Sequence, residues 1–248
     1  MKFRIACAIL PALLVAACGK GGTDANSSAP AAAPVAAVAA PAGQNWVDTV
    51  VKTPEGGFRM GNPNAPVKLI EYGSRACPYC AKFDAEGVPP LKAGAIAQGK
   101  LSYEFREYPV HGALDIAPIL LGQCVDTGAF FPLLDQMMAA QPQLLVNEQK
   151  ASQEVQAMGN VSPAQVATAY AEKLGYIDFV KQRGVTEAKA RACLNDKAAF
   201  DTLAKRKDAA DQQFNISGTP TFIVNGTVAA NVNDWAQLQP VLRAAGAL

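Results

Sequence analysis

A helical pattern runs from about residue 113 to residue 213 of this 248-residue chain, enclosed between two β-favouring regions. Ahead of it, Val-Lys-Leu-Ile-Glu-Tyr at 67–72 is a short apolar, β-favouring run that follows the turn-rich segment 61–66. The stretch 101–108 alternates around Tyr103 and Phe105 and reads as a second strand. Between them a helix is expected to open at Cys77 with Phe83 on one face; Gly87 and Pro89-Pro90 interrupt it, and 91–98 resumes it. Strand, helix, strand is the start of a parallel α/β unit. Inside the helical tract, Ser162-Pro163 and Thr186-Glu187 are helix starts and Gly175 is a helix end. The last helix carries Phe200, Leu203, Lys207, Ala210 and Phe214 on one stripe, with Lys207 its polar exception. Strand signals return at 221–224, Asn225-Gly226 is a hairpin turn, and 227–232 is expected to pair back. Asp234 then caps a closing helix to about Ala245. The economical arrangement is one α/β domain over 46–248 with a helical insertion at about 113–200, not two sequential domains.

Half of the residues are apolar, enough for such a domain to bury a core. Lys and Arg number 22 against 21 Asp and Glu, with a single His, and no basic run occurs. A nucleic-acid surface is thereby excluded as the expected role. The balance says nothing about catalysis.

The N-terminus fixes the compartment. Lys2 and Arg4 precede an apolar stretch at 5–15 and the small pair Ala16-Ala17, so residues 1–17 read as a signal peptide. A helix that crosses a bilayer needs about 20 apolar residues, and this stretch is much shorter. Val15-Ala16-Ala17-Cys18 resembles a bacterial lipoprotein cleavage box, which implies a lipid on Cys18 and a membrane tether. Ordinary cleavage after Ala17 is the alternative. By the same resemblance, Gly19 in place of Asp points to the outer membrane. Residues 18–45 are low in complexity, an Ala/Pro/Val tract broken by Pro30, Pro34 and Pro41, and are expected to be a disordered spacer. Outside the cytoplasm disulfides persist, so cysteines are read as pairs. Cys7 leaves with the signal, the lipid accounts for Cys18, and Cys77, Cys80, Cys124 and Cys193 remain: an even number.

Cys77-Pro78-Tyr79-Cys80 is the chemical signal. Two cysteines so spaced can close a small disulfide ring on the first turn of a helix, where unpaired N–H groups and partial positive charge favour a thiolate. Pro78 suits that turn because its missing N–H would have no partner there. Cys77 is therefore the expected exposed nucleophile and Cys80 the buried resolving thiol. Stabilising the Cys77 thiolate stabilises the reduced form and makes the disulfide the better oxidant. A zinc half-site and a purely structural disulfide are the rival explanations. Closed zinc sites want four ligands, whereas only His111 and two isolated cysteines accompany the pair, and so small a disulfide ring constrains little chain entropy. No metal or cofactor is expected.

Glu71-Tyr72-Gly73-Ser74-Arg75-Ala76-Cys77-Pro78-Tyr79-Cys80, with Ser217-Gly218-Thr219-Pro220-Thr221-Phe222 far downstream, resembles the DsbA-like thiol–disulfide oxidoreductases of the bacterial envelope, from about Gly61 to the C-terminus. The resemblance implies a thioredoxin-like fold with an inserted helical domain, an attacking Cys77 and its partner Cys80. It implies a cis bond at Thr219-Pro220, with the Thr219 backbone presented to an extended substrate. Glu71 falls where the family has an acidic residue beneath the active site and would handle the proton of Cys80; the alternative is a side chain pointing to solvent. Tyr79 stands where the strongest oxidants of the family have His, so a milder poise is implied. The implied activity is disulfide formation in reduced or misoxidised exported proteins in the periplasm, with reoxidation by a DsbB-like membrane oxidant. A reductase or isomerase kept reduced by a DsbD-like donor is the runner-up, and a thiol-based metal chaperone is the alternative from another class.

Cys124 and Cys193 lie in the helical tract. Some DsbA-like proteins carry a second disulfide there, and a bridge over this span would contribute roughly 4 kcal/mol through chain entropy. Two buried thiols packed as small apolar residues are the alternative. His111, at the end of the second strand, could approach the cysteine pair, although a lone loop histidine more often has no catalytic role. The apolar stretch 129–138 is expected to be helical core.

Overall fold

The computed structural model describes residues 33–248. The expected signal peptide at 1–17, the expected lipidation site Cys18 and the first part of the spacer lie outside the described residues. Six strands form one mixed sheet in the order β1-β2-β4-β3-β5-β6. These are β1 (Val50–Lys52), β2 (Phe58–Met60), β3 (Val67–Gly73), β4 (Leu101–Glu107), β5 (Thr221–Val224) and β6 (Thr227–Val228). β3 and β4 run parallel, from Val67 opposite Leu101 to Gly73 opposite Glu107, and β5 joins the other side of β3 antiparallel. β1 and β2 form an antiparallel hairpin on the far side of β4. That hairpin had no sequence signal, because strands of three residues are too short to display an alternating pattern.

α1 (Pro78–Glu86) and α2 (Val88–Leu91), extended by a π turn at Lys92–Ile96, connect β3 to β4. The insertion comprises α3 (Ala113–Gly122), α4 (Phe130–Leu144), α5 (Glu148–Gln156), α6 (Pro163–Lys173), α7 (Tyr176–Lys181) and α8 (Glu187–Leu194). α9 (Lys197–Phe214) leads back to β5, and α10 (Trp235–Ala244) closes the fold. Period two decides what each strand residue meets. Leu69, Tyr103, Phe105 and Phe222 face a core shared with Phe83, Leu91, Leu238 and Leu242. Tyr72, Tyr108 and Ile223 face the other way, against Ala210 and Phe214 of α9. α4 belongs to two cores at once: Phe130, Phe131, Leu134 and Met138 pack toward the sheet, while Leu133 and Met137 join Ala117, Leu121, Tyr176 and Val180 in the helical block. Lys207, the polar residue on the α9 stripe, donates to Asp211 Oδ2 at 2.7 Å and stays at the surface edge of that contact.

Two boundaries differ from expectation. Pairing after the Asn225-Gly226 turn stops at Val228 rather than continuing to residue 232. Asn225 and Gly226 both have positive φ, as a tight hairpin turn of this kind requires, and Asn231 adopts φ 59°, which turns the chain away from the sheet. The spacer expected through residue 45 is in fact packed from Ala33 onward. Val35 N–H donates to the Gly246 carbonyl at 2.9 Å, Val38 N–H to the Gln98 carbonyl at 2.8 Å, and Trp46 Nε1 to the Val38 carbonyl at 2.7 Å. Extended backbone has free donors and acceptors, and here the ends of two helical segments supply their partners. At Gly99, with φ +68°, a Cβ would stand 2.4 Å from the Val38 carbonyl, so the strap needs glycine there. No described helix is long and apolar enough to cross a membrane.

Candidate active site

β3 delivers the chain to the loop Ser74-Arg75-Ala76, and α1 begins at once. Cys77 is the N-cap residue (φ −85°, ψ 121°) and Pro78 occupies the first turn. The Cys77 carbonyl accepts from Ala81 N–H at 3.1 Å, and Gln141 Nε2 of α4 donates to the carbonyls of both Arg75 and Cys77 at 3.0 Å. Arg75 is fully buried, with Nε and Nη2 donating to Glu107 Oε1 at 2.9 and 2.7 Å, and its guanidinium lies over the Phe130 ring. The loop is thus pinned from the sheet side and from the helical block.

Cys77 and Cys80 are free thiols. Cys77 was expected to be exposed, yet only 5% of it is, because the Thr219-Pro220 loop covers it. That peptide bond is cis, and the Cys77 thiol donates to the Thr219 carbonyl at 3.1 Å. Thr219 Oγ1 is buried with no hydrogen-bond partner, so its hydroxyl is available to a thiolate. The Cys77 pKa is lowered to about 5, chiefly by a hydrogen bond from the Cys80 thiol. Burial opposes the shift, and Thr219 and the backbone N–H groups of Tyr79 and Cys80 add to it. The helix start therefore contributes, but less than the neighbouring thiol. Cys80 is completely inaccessible, and burial drives its pKa well up, reinforced by the hydrogen bond it makes to Cys77 and by the charge of Glu71. Its sulfur accepts only a long hydrogen bond, from Ser74 N–H at 3.5 Å.

Glu71 does not point to solvent. It shares the α1-facing side of β3 with Leu69 and is 1% exposed. Burial raises its pKa to about 8, against a lowering hydrogen bond from Tyr103, whose hydroxyl donates to Glu71 Oε2 at 2.6 Å. Glu71 Oε1 has no hydrogen-bond partner. The titration of Glu71 is further influenced by both cysteines. Beyond it, Asp84, on α1 below Cys80, is pushed to about 7 by burial and by Asp135, which itself pairs with Lys92 at 2.5 Å.

His111 reaches the opposite flank of the loop. Its Nδ1 lies 3.2 Å from Ser74 Oγ and 3.3 Å from Asp115 Oδ2, and Asp115, fully buried at the start of α3, also accepts from His111 N–H at 2.7 Å and Ser74 Oγ–H at 2.6 Å. Tyr79 is 58% exposed beside an open groove of about 480 Å³ that includes Ile216, Thr219, Pro220, Val228 and Val232. Cys124 and Cys193 are joined by a disulfide across 69 residues in the helical block and take no part in the site. Among the described residues no three His, Cys, Asp or Glu side chains cluster as metal ligands. Sequence reasoning missed Tyr103, Gln141, Ser74 and Asp115 as site residues. Tyr103 was legible only through register: it stands opposite Leu69, two pairs before Glu71 meets Phe105 and so on the same face of the sheet.

A family model described as Thioredoxin matches residues 53–244. The chain belongs to the thioredoxin family. Among solved thioredoxin-family structures, a protein-disulfide isomerase from Novosphingobium aromaticivorans is 32% identical with a TM-score of 0.70, over 74% of this chain and 94% of that one. BdbD from Bacillus subtilis superimposes with a TM-score of 0.54 at 19% identity, over 75% of this chain and 91% of that one, a likeness of fold. The fold expected from the motifs, a thioredoxin-like sheet with a helical insertion, is the one observed. A relative in Rickettsia bellii, provisionally named a protein-disulfide oxidoreductase, is 26% identical over 73% of this chain; the chain spans 61% of that protein's length.

Proposed function

We propose that this protein is an envelope thiol–disulfide oxidoreductase that forms disulfides in exported proteins by exchange through Cys77 and Cys80. The observation that carries the proposal is the opposed ionisation of two sulfurs on one helical turn: Cys77 lowered to about 5, Cys80 raised by complete burial. A disulfide whose reduction yields an already stabilised thiolate is readily reduced, and so oxidises its partner.

In the first step a substrate thiolate attacks Cys77 Sγ of the Cys77–Cys80 bond. The new substrate–Cys77 disulfide forms as Cys80 leaves with the electron pair. Cys80 is a poor thiolate in its buried site and takes a proton, for which Glu71, held protonated to about pH 8 by burial, would be the donor. A second substrate thiolate then attacks the substrate sulfur of the mixed disulfide and Cys77 departs as thiolate. The substrate has lost two electrons and the enzyme has gained them, with no cofactor. Thr219 and Pro220 cover Cys77 and offer backbone to an extended chain, and Tyr79 and the groove beside it contribute apolar contact. Reoxidation would fall to a DsbB-like membrane oxidant. Export by residues 1–17 and a lipid on Cys18, with the outer membrane as its site, complete the proposal.

The second reading, an isomerase or reductase kept reduced by a DsbD-like donor, is favoured by one observation: the similar Novosphingobium protein is named a protein-disulfide isomerase. Acid trapping and thiol alkylation of cells separates the two. A mainly oxidised Cys77–Cys80 pair is expected; a mainly reduced pair would sink the oxidase reading. Stoichiometric metal binding without turnover of reduced protein substrates would instead point to a metal chaperone.

A further inference from the structure

His111 is the only histidine in the chain, and nothing in the exchange chemistry above uses it. Its surroundings fix its tautomer. The single Ser74 hydroxyl hydrogen is committed to Asp115 Oδ1 at 2.6 Å, so Ser74 has no hydrogen to give the imidazole 3.2 Å away. Asp115 Oδ2, 3.3 Å from the same ring nitrogen, is also an acceptor. Nδ1 must therefore carry its hydrogen, and Nε2 is the atom that titrates. Ser74 is in turn built into the cysteine loop: its Oγ accepts from Ala76 N–H at 3.1 Å, immediately before Cys77, and its N–H contacts Cys80 Sγ. A ring clamped to Ser74 is held in fixed relation to both sulfurs.

We propose that His111 is a positioning residue for the redox pair: protonated at Nε2, it supplies the cation that Tyr79 does not, and stabilises the Cys77 thiolate through the Ser74–Asp115 clamp. This rests on Cys77 being the reacting thiolate. The charged groups around the ring are Asp115 of α3, Cys77 at the head of α1 and Glu148 in the first turn of α5. The hydrogen bond to Asp115 raises the His111 pKa most; burial opposes it, and the charges of Asp115, Cys77 and Glu148 add. With 38% of the side chain exposed, solvent moderates but does not remove the coupling.

Linkage makes the effect reciprocal. Reducing the disulfide takes two electrons and one proton when Cys77 stays ionised and Cys80 is protonated. Between the His111 pKa of the oxidised form and the higher one of the reduced form, a second proton binds at Nε2. The oxidised protein is accordingly a stronger oxidant below the His111 pKa than above it.

The test uses the full folded protein and its single imidazole, whose ring-proton NMR signals need no assignment. The His111 pKa should be higher in the reduced than in the oxidised protein, and Cys77→Ser, which can form neither the thiolate nor the disulfide, should show the lower value. His111→Gln should lower the Cys77 ionisation constant about 3-fold, read from thiolate absorbance, as expected for one partly screened charge. Identical His111 titrations in the two redox forms, with Cys77 still ionising near pH 5, would overturn this inference alone. A Cys77 that titrates like a free thiol in the unaltered protein would overturn the oxidase proposal along with it.

Discussion

The two cysteine pairs of this chain are the same chemistry put to opposite uses. Cys77 and Cys80 share one helical turn, with one sulfur lowered to about 5 and the other raised by burial. Cys124 and Cys193 join the end of α3 to α8 across 69 residues, packed against the apolar side chains of the helical block. The difference teaches that a disulfide becomes an electron carrier when its environment treats its two sulfurs unequally, and a staple when it does not.

The sharpest way to break the comparison is at the nucleophile. Cys77→Ser should abolish disulfide exchange, on the order of 10³-fold or more in the oxidation of a reduced test protein, while leaving the fold intact. Retained turnover would mean that the buried sulfur, or another group, does the chemistry. The converse change, Cys124→Ala with Cys193→Ala, should cost about 2–4 kcal/mol in urea unfolding and leave the exchange rate of the folded protein alone. A loss of rate at full stability would place the second pair in the reaction.

Glu71→Gln cuts between the two sulfurs. With no proton to lend Cys80, the exchange rate should fall about 10²-fold. Its effect on stability has a definite sign. The folded-state pKa of Glu71, about 8, lies above its ordinary 4.5, so the folded protein holds the proton more tightly than the unfolded chain does. The contribution is fully present below pH 4.5 and is lost as pH rises through 8. The reduced Gln variant should therefore gain on the parent protein progressively from pH 5 to pH 9 in thermal unfolding. Cys77 runs the other way: its lowered value makes the reduced protein gain stability as pH rises above 5, and lose it as pH falls through 5.

How much of this was legible in the sequence depended on distance along the chain. The strand at 67–72, the helix opening at Cys77 and the alternation around Tyr103 and Phe105 are local patterns, and each appears in the fold. Glu71 was found through the family resemblance, which sets an acidic residue six positions before Cys77. That the Thr219-Pro220 loop faces the sulfurs came from the resemblance alone; how closely it sits on Cys77, from 142 residues away, was not legible. The strap at 33–45 was misjudged for a related reason. Its composition has neither charge nor period, and its partners are carbonyls at Gln98 and Gly246 that only the finished fold brings near. Gln141 is a polar residue in an apolar helix, a signal that could have been heeded: buried amides are kept when they satisfy backbone groups, and this one holds the Arg75 and Cys77 carbonyls.

Tyr103 gives the smallest and most specific test. Its hydroxyl donates to Glu71 Oε2 at 2.6 Å, a bond that favours the carboxylate and so holds the Glu71 pKa below where burial alone would set it. Tyr103→Phe keeps the ring in the core beside Phe83 and Phe131 and removes only that donor. A hydrogen bond worth about 0.7 kcal/mol changes the ionisation constant about 3-fold, so Glu71 should titrate at still higher pH. The alkaline limb of the pH–rate profile for disulfide exchange should move up with it, while the Cys124–Cys193 bridge and the unfolding midpoint at low pH, where Glu71 is neutral in both folded and unfolded chains, stay close to those of the parent. A profile that fails to move would separate Glu71 from the proton of Cys80, and leave the asymmetry of the active pair to the sulfurs and the helix start alone.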